Sequence, residues 1–98
     1  MLSDIACSAL RAGKVLELRY DGFGRSVEVH AVGFSKEGHK LMRVWQIRGG
    51  SDSGEPMGWK LMRLDEVQAA IATGENSLAP RAGYRRSDRA MTRIICQL

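Results

Sequence analysis

The sequence predicts one small domain of the α+β class: an antiparallel sheet with a helix at the start of the chain and a second short helix before the last strand. The first observation is length, because 98 residues correspond to a single domain, residues 1–98. The second is alternation of apolar and polar residues over several short stretches, which is typical of strands with one buried face. The third is the close spacing of turn residues, which pairs neighbouring strands as hairpins. A sheet this small removes its edges most easily by curling into a barrel.

The first element is a helix over about residues 4–12. Ser3 can cap its N-terminus, and Asp4 in the first turn complements the positive end of the helix dipole. The apolar stripe of this helix consists of Leu2, Ile5, Ala9 and Leu10. Gly13 follows the last periodic residue and is expected to end the helix.

The next two elements are strands joined as a hairpin. Residues 14–20 alternate between apolar and polar side chains, and the turn residues 21–24 follow them. The second strand has Val27, Val29 and Ala31 on its inward face. Because side chains alternate across a strand, Glu28 and His30 are expected to point outward. A second turn is predicted at residues 35–38.

The third and fourth strands follow. Residues 41–47 are apolar on both faces, which predicts a central strand covered on both sides. A glycine-rich loop, residues 49–54, leads to a short strand over residues 59–62. The loop lacks the Gly-Lys-Ser/Thr ending and the strand-to-helix context of a phosphate loop, so it is interpreted as a mobile hairpin loop.

The second helix is predicted from Asp65, as its cap, to about residue 73. Its apolar stripe would consist of Leu64, Val67 and Ile71, and Gly74 would end it. Residues 76–87 are irregular, and the chain closes with a strand over residues 91–98.

The net charge of the chain is concentrated near its C-terminal end. Before Arg81 the sequence has ten Lys and Arg residues and ten Asp and Glu residues. The basic segment, residues 81–93, has five arginines against Asp88 alone. The rest of the domain is therefore neutral, which disfavours a protein that coats nucleic acid generally.

The two cysteines, Cys7 and Cys96, lie near opposite ends of the chain. A disulfide between them is open in principle, but two buried thiols in a reducing cytoplasm are the favoured interpretation. No apolar run of ~18 residues is present, so no membrane helix is expected. The first residues lack the basic segment of a signal peptide.

The chain resembles the WYL domain family over about residues 5–67. The positions that carry the resemblance follow the family's order of a helix, a strand ending in tyrosine, an Arg-x-Val strand and a closing Leu-Asp motif. They are Ile5, Ala9, Leu16, Leu18, Tyr20, Arg25, Val27, His30, Gly38, Lys60, Met62, Leu64, Asp65 and Val67. The resemblance implies an Sm-like small barrel that senses ligands, often nucleotides, and works in bacterial transcription regulation.

We expect a site for a small anionic ligand or nucleotide, in which cations neutralise the ligand and an aromatic ring covers it. The residues assigned to this site are Arg25, His30, Trp59, Lys60 and Arg63. Arg43 is also considered as a cation of this site but is left out of the assignment. The alternative for the cations is a solvated strand face in which they pair with nearby carboxylates. The alternative for the tryptophans, and the favoured one for Trp45, is core packing.

A second hypothesis assigns nucleic-acid or partner binding to the arginines of the basic segment, Arg81, Arg85, Arg86, Arg89 and Arg93. Tyr84 is the only aromatic residue among them, so the pattern for nucleic acid is incomplete. A third hypothesis is a protein–protein interaction module that docks a partner or a second copy, as a homodimer, through an exposed strand edge or through the basic segment.

The sequence contains none of the familiar catalytic motifs, so we expect a binding protein and not an enzyme. With two histidines and distant cysteines, the ligands for a zinc site are not assembled. No cofactor is expected.

Overall fold

A computed structural model describes residues 1–98 and confirms a compact α+β architecture, with a helix at the start of the chain and an antiparallel sheet of six strands. The elements are α1 (Leu2–Ala12), β1 (Lys14–Tyr20), β2 (Phe23–Phe34), β3 (Lys40–Gly49), β4 (Gly58–Arg63), β5 (Gln68–Asn76) and β6 (Arg93–Gln97). A 3₁₀ turn, Leu64–Glu66, joins β4 to β5. None of these elements is a helix that could cross a membrane.

The strand order in the sheet is β4-β3-β2-β1-β5, and β6 pairs with β2 off this path. One edge of β2 pairs with β3 over most of its length, and the other pairs with β1 and then with β6. Strands β4 and β5 lie at the two ends of the sheet and share no ladder. The expected closure into a barrel is therefore not confirmed.

A β-bulge divides β2 into the half that pairs with β1 and the half that pairs with β6. The register with β3 shifts between Val29 and Ala31, so His30 has no direct partner on that strand. A bulge bends a strand and redirects the side chain at the extra residue. The bend places His30 at the junction of the two halves, where it contributes to the site described below.

The main core lies between α1 and one face of the sheet. Apolar residues of the helix, which include Ala6, Ala9 and Leu10, pack there against buried strand residues such as Leu16 and Val27. The helix starts at Leu2, and Ser3 is buried in its first turn without a capping hydrogen bond, so the predicted Ser3 cap is wrong. Gly13 ends the helix with φ 66°, as expected, and its N–H bonds to the carbonyls of Ala9 and Leu10.

The predicted second helix is wrong, because residues 68–76 form β5 and only Leu64–Glu66 make a helical turn. Strand β5 pairs with β1, which would otherwise expose a row of unpaired backbone groups. The hydroxyl of Thr73 adds a hydrogen bond of 2.8 Å to the carbonyl of Val15. Ile71, which belongs to the predicted apolar stripe of this helix, is 62% exposed. The helical spacing of apolar residues in this segment therefore does not correspond to a buried face.

The two cysteines form a disulfide, so the expectation of two free thiols is wrong. Cys7 on α1 and Cys96 on β6 are joined, with their Cα atoms 6.0 Å apart. The fold brings the two ends of the chain together because β6 pairs with β2, which packs against α1. The expectation of reduced thiols was one basis for a cytoplasmic location, which is not confirmed.

Candidate functional site

The sheet face opposite α1 is covered by the irregular chain between β5 and β6. Between this chain and the sheet is an open cleft of about 740 Å³. Arg43 of β3 and Trp59 of β4 line it from the sheet, and Gly83–Arg89 lines it from the other side. We call the segment Gly83–Arg89 the arginine loop and the cavity the arginine cleft.

An ion pair between Arg43 and Asp88 fixes the arginine loop to the sheet. Nε of Arg43 donates to Oδ2 of Asp88 at 2.6 Å, and Nη2 donates to Oδ1 at 3.2 Å. This two-pronged geometry restricts the orientation of both side chains. The hydrogen bonds from Arg43 hold the pKa of Asp88 below its usual range, so the carboxylate stays charged. The charge of Arg43 is thereby neutralised within the protein.

Aromatic rings surround Trp59, which lines the cleft. Trp45 and His30 meet Trp59 edge to face, with ring centroids at 5.3 Å and 4.7 Å. The ring of Tyr84 in the arginine loop lies with its centroid 6.4 Å from that of Trp59, and the two ring planes are inclined by 29°. Gly83 adopts φ +92°, and a Cβ there would lie 3.2 Å from Nε1 of Trp59. Glycine at this position lets the loop pass close to the indole.

Glu28 and His30 are buried, with 1% and 0% exposure, so the expectation that they point outward to solvent is wrong. They do lie away from the core under α1, but residues 78–81 cover them. The Glu28 carboxylate accepts two hydrogen bonds from the Arg81 guanidinium, at 2.6 Å and 3.2 Å, and one from the Leu78 N–H at 2.6 Å. The alternation of residues along β2 correctly predicted the sheet face on which Glu28 and His30 lie. It did not predict that residues 78–81 cover this face.

His30 holds the same chain through its imidazole. Its Nε2 accepts the backbone N–H of Arg81 at 3.0 Å, and its Nδ1 lies 2.9 Å from the carbonyl of Glu28. Since a backbone N–H can only donate, Nε2 is unprotonated and Nδ1 carries the proton in the neutral ring. Burial lowers the pKa of His30 below its ordinary value, and the hydrogen bond to Glu28 opposes this only in part.

Acid is expected to destabilise the domain through His30. Because the folded pKa lies below the unfolded value of about 6.5, the stabilisation from neutral His30 is complete above that pH. It is lost as the pH falls from there toward the folded pKa. A proton on Nε2 would leave the Arg81 N–H without an acceptor, which costs about 1–3 kcal/mol. Urea unfolding at pH 7.5 and pH 5.5 measures the difference.

The matched control uses the only other histidine. His39 is exposed in a turn, so His39→Gln should keep the wild-type change in stability between the two pH values. His30→Gln should reduce that change, whatever it does to absolute stability. Equal pH dependence in the two variants would contradict the assignment to His30.

Three exposed arginines of the loop give the arginine cleft its excess charge. Arg86 donates from Nε to the carbonyl oxygen of Leu98 at 2.9 Å. Arg85 and Arg89 make no hydrogen bond or ion pair within the protein, although both line the cleft. With Arg43 and Asp88 cancelling each other, the lining has a formal excess of three positive charges, and those of Arg85 and Arg89 have no partner in the protein.

Of the five side chains first assigned to the ligand site, the structure brings together His30 and Trp59. Arg25 is 5% exposed on β2, where it pairs with Leu18 and lies over the Tyr20 ring. Lys60 donates to the hydroxyls of Ser51 and Ser53 at 3.0 Å and 3.1 Å. Arg63 pairs with Asp65. Arg25, Lys60 and Arg63 do not line the arginine cleft.

The arginines of the basic segment also lie in different environments. Arg85, Arg86 and Arg89 line the cleft. Arg81 forms the ion pair with Glu28, and Arg93 lies over the Phe34 ring with 4.5 Å from Cζ to the ring centroid. The cleft thus combines Trp59 from one predicted set with three arginines from the other.

Asp88 was not assigned to a site from the sequence, and Arg43 was considered as a cation of the ligand site but left out of the assigned residues, although both shape the cleft. The signal for Asp88 was its position as the single acid among five arginines. The signal for Arg43 was its spacing from Trp45, which places both on one face of β3. No group of three histidine, cysteine or carboxylate side chains could hold a metal ion.

No family model, no curated protein and no solved structure matches this chain. The resemblance to the WYL domain family therefore stays a prediction.

Proposed function

We propose that this domain is a non-enzymatic binding module that holds a small anionic ligand with a flat ring, such as a nucleotide, in the arginine cleft. The observation that carries the proposal is the pairing of exposed arginines with aromatic rings in one concave site. Arg85 and Arg89 have no partner in the protein, and Trp59 and Tyr84 lie beside them.

The charge of the cleft supports an anion. Arginine presents a planar fork of donors that fits the oxygens of a phosphate or carboxylate. Arg85, Arg86 and Arg89 lie close in sequence on one loop, and the Arg43–Asp88 pair holds that loop against β3. A loop already fixed in place loses less conformational entropy when a ligand binds, so more of the interaction energy appears as affinity.

The aromatic rings support a ligand with a flat ring. Trp59 is half-buried and is held edge-on by Trp45 and His30, so its orientation is set before any ligand binds. Stacking of a base on an aromatic side chain contributes about 1–3 kcal/mol. Together with charge-assisted contacts to the arginines, this is consistent with micromolar binding, about 8 kcal/mol.

The proposal extends to the biological setting that the WYL resemblance implies. In that setting the module senses its ligand in the bacterial cytoplasm and transmits the signal to transcription. The related proposal of an Sm-like barrel requires the two end strands of the sheet, β4 and β5, to pair with each other. The 3₁₀ turn Leu64–Glu66 connects these two strands in the chain.

Titration calorimetry with ADP, inorganic pyrophosphate and adenosine tests the proposal. We expect ADP to bind more tightly than either fragment, because only ADP engages both the arginines and the rings. Arg85→Ala with Arg89→Ala should weaken ADP binding by about 100-fold, at about tenfold per lost charge-assisted contact. Binding of none of the three probes at millimolar concentration would overturn the proposal.

The matched control removes the same charge elsewhere. Arg11 on α1 and Arg19 on β1 are exposed and lie outside the cleft, so Arg11→Ala with Arg19→Ala should leave ADP affinity within about twofold of wild type. Equal weakening by the two double variants would show that net charge matters and the cleft does not.

Salt dependence separates this proposal from nucleic-acid binding by the same arginines. A single-stranded oligonucleotide that contacts many phosphates should lose affinity by orders of magnitude between 50 mM and 200 mM salt, whereas a ligand with few charges loses much less. Tight, steeply salt-dependent oligonucleotide binding without ADP binding would favour the nucleic-acid hypothesis.

A further inference from the structure

Gln97, the last residue of β6, and Leu98 after it hold the arginine loop. The side-chain oxygen of Gln97 accepts the backbone N–H of Ser87 at 2.9 Å. The carbonyl oxygen of Leu98 accepts from the Tyr84 hydroxyl at 3.3 Å and from Nε of Arg86 at 2.9 Å. Three residues of the loop therefore depend on the position of two residues at the end of β6.

Apart from the packing of Cys96 and Leu98 in the main core and of Ile94 against Ala31, strand β6 is held along one edge only. It is five residues long and pairs only with β2, over Ala31–Phe34. Short strands at the edge of a sheet open more readily than its centre. The disulfide from Cys96 to Cys7 is the one covalent link from β6 to the main core, and it attaches directly to α1. Cys96 precedes Gln97, so this link acts next to the residues that hold the loop.

We propose that the Cys7–Cys96 disulfide controls the arginine cleft, so that ligand binding is strong in the oxidised protein and weak in the reduced one. This inference rests on the function proposed above. A dithiol reductant supplies two electrons and two protons: the S–S bond breaks, Cys7 and Cys96 become thiols, and the reductant becomes a cyclic disulfide. Strand β6 then opens more often, and the arginine loop loses the hydrogen bonds to Gln97 and Leu98.

The coupling also acts in the reverse direction. Cys7 and Cys96 are 3% and 7% exposed, so a thiol reaches the disulfide only when β6 moves away. A ligand that binds the arginine loop favours the closed position of β6. By thermodynamic linkage, occupation of the cleft should therefore slow reduction of the disulfide.

Hydrogen exchange and binding of ADP in the oxidised and the dithiothreitol-reduced protein test the inference. We expect faster exchange at the amides of Ser87 and Leu98 after reduction, with the core amides of Val27 and Val29 unchanged. We also expect ADP affinity to fall by about tenfold. Unchanged exchange at Ser87 and Leu98 would overturn the inference, and so would faster exchange throughout the core, which would mean global unfolding.

Two variants separate local control from loss of stability. Cys7→Ser with Cys96→Ser should behave like the reduced protein and respond no further to dithiothreitol. Leu18→Ala creates a cavity in the main core at β1, opposite Arg25 and away from the part of β2 that pairs with β6; it should lower stability yet keep the oxidised affinity. If Leu18→Ala weakens binding as much as reduction does, the disulfide has no specific role. If the oxidised wild type binds none of the probes, the proposed function fails, whereas equal binding in both redox states rejects only the redox control.

Discussion

Alanine in place of Arg81 is expected to lower the free energy of unfolding by about 3–5 kcal/mol. The Arg81 guanidinium makes both of its hydrogen bonds to Glu28, whose side chain is 1% exposed. Removal of one partner leaves the other charge buried without compensation, and this costs more than the intact pair contributes. The Leu78 N–H still donates to Glu28, so we expect the lower end of the range. Urea unfolding followed by tryptophan fluorescence measures the change.

Arg63→Ala is the matched control for this result. Arg63 also forms a two-pronged pair, with Asp65, but both side chains are at least 40% exposed. Exposed pairs contribute little because water solvates both charges when the pair is broken. The variant should therefore unfold close to wild type. Similar stability losses in Arg63→Ala and Arg81→Ala would contradict the structural role of the buried pair.

A large loss of stability in Arg81→Ala alone would also change the interpretation of the basic segment. Arg81 was grouped with four other arginines as a candidate nucleic-acid contact because all five are close in sequence. In the structure its charge is taken up by Glu28, while Arg85 and Arg89 remain unpaired. We therefore expect variants of Arg81 to act mainly through stability, and variants of Arg85 and Arg89 through binding.

Gly33→Ala is expected to lower the free energy of unfolding by about 3 kcal/mol, toward the upper end for overpacked sites. A Cβ at Gly33 would lie 2.5 Å from the carbonyl oxygen of Arg93 and 2.9 Å from Sδ of Met91. The nearest of these atoms belongs to the backbone, so β2 and β6 must separate to make room. Because β6 holds the arginine loop, the variant should also weaken ADP binding. Thermal unfolding and calorimetry measure the two effects.

Gly74→Ala controls for the loss of glycine itself. Gly74 lies exposed on β5, its φ is not positive, and a Cβ there would meet no atom within 4 Å. Alanine at such a position restricts the unfolded chain and stabilises a protein by about 0.4–1 kcal/mol. A Gly33→Ala protein as stable as Gly74→Ala would show that β2 and β6 do not pack as closely as the structure indicates.

The sequence predicted residues of the candidate site but did not predict that they form one site. The reason is the topology of the chain. Trp59 and the arginines of the basic segment were each singled out, but in separate hypotheses. They are more than twenty residues apart, and nothing local indicates that residues 83–89 return over β3 and β4. The contacts that make them one site are the Arg43–Asp88 pair and the packing of Gly83 against Trp59.

The second helix shows how a nonlocal partner overrides local preference. Residues 65–73 have an apolar spacing and alanines that favour a helix. A short helix is only marginally stable in isolation. Pairing of this segment with β1 satisfies backbone groups of both strands, so the same residues form β5. The pairing partner, β1, lies about fifty residues earlier in the chain. A pattern read over ten or so neighbouring residues therefore contains no information about it.

The local sequence alone determined the turns and helix ends that depend on a few neighbouring residues. The turn after β1 is one example, because Asp21 and Gly22 adopt φ 51° and 78°, which asparagine, aspartate and glycine tolerate best. The end of α1 at Gly13 is another. The tertiary structure alone decided which polar side chains are covered, that Cys7 and Cys96 meet, and which arginines have no partner. Those outcomes depend on contacts between distant segments, whose free energy exists only once the whole sheet has formed.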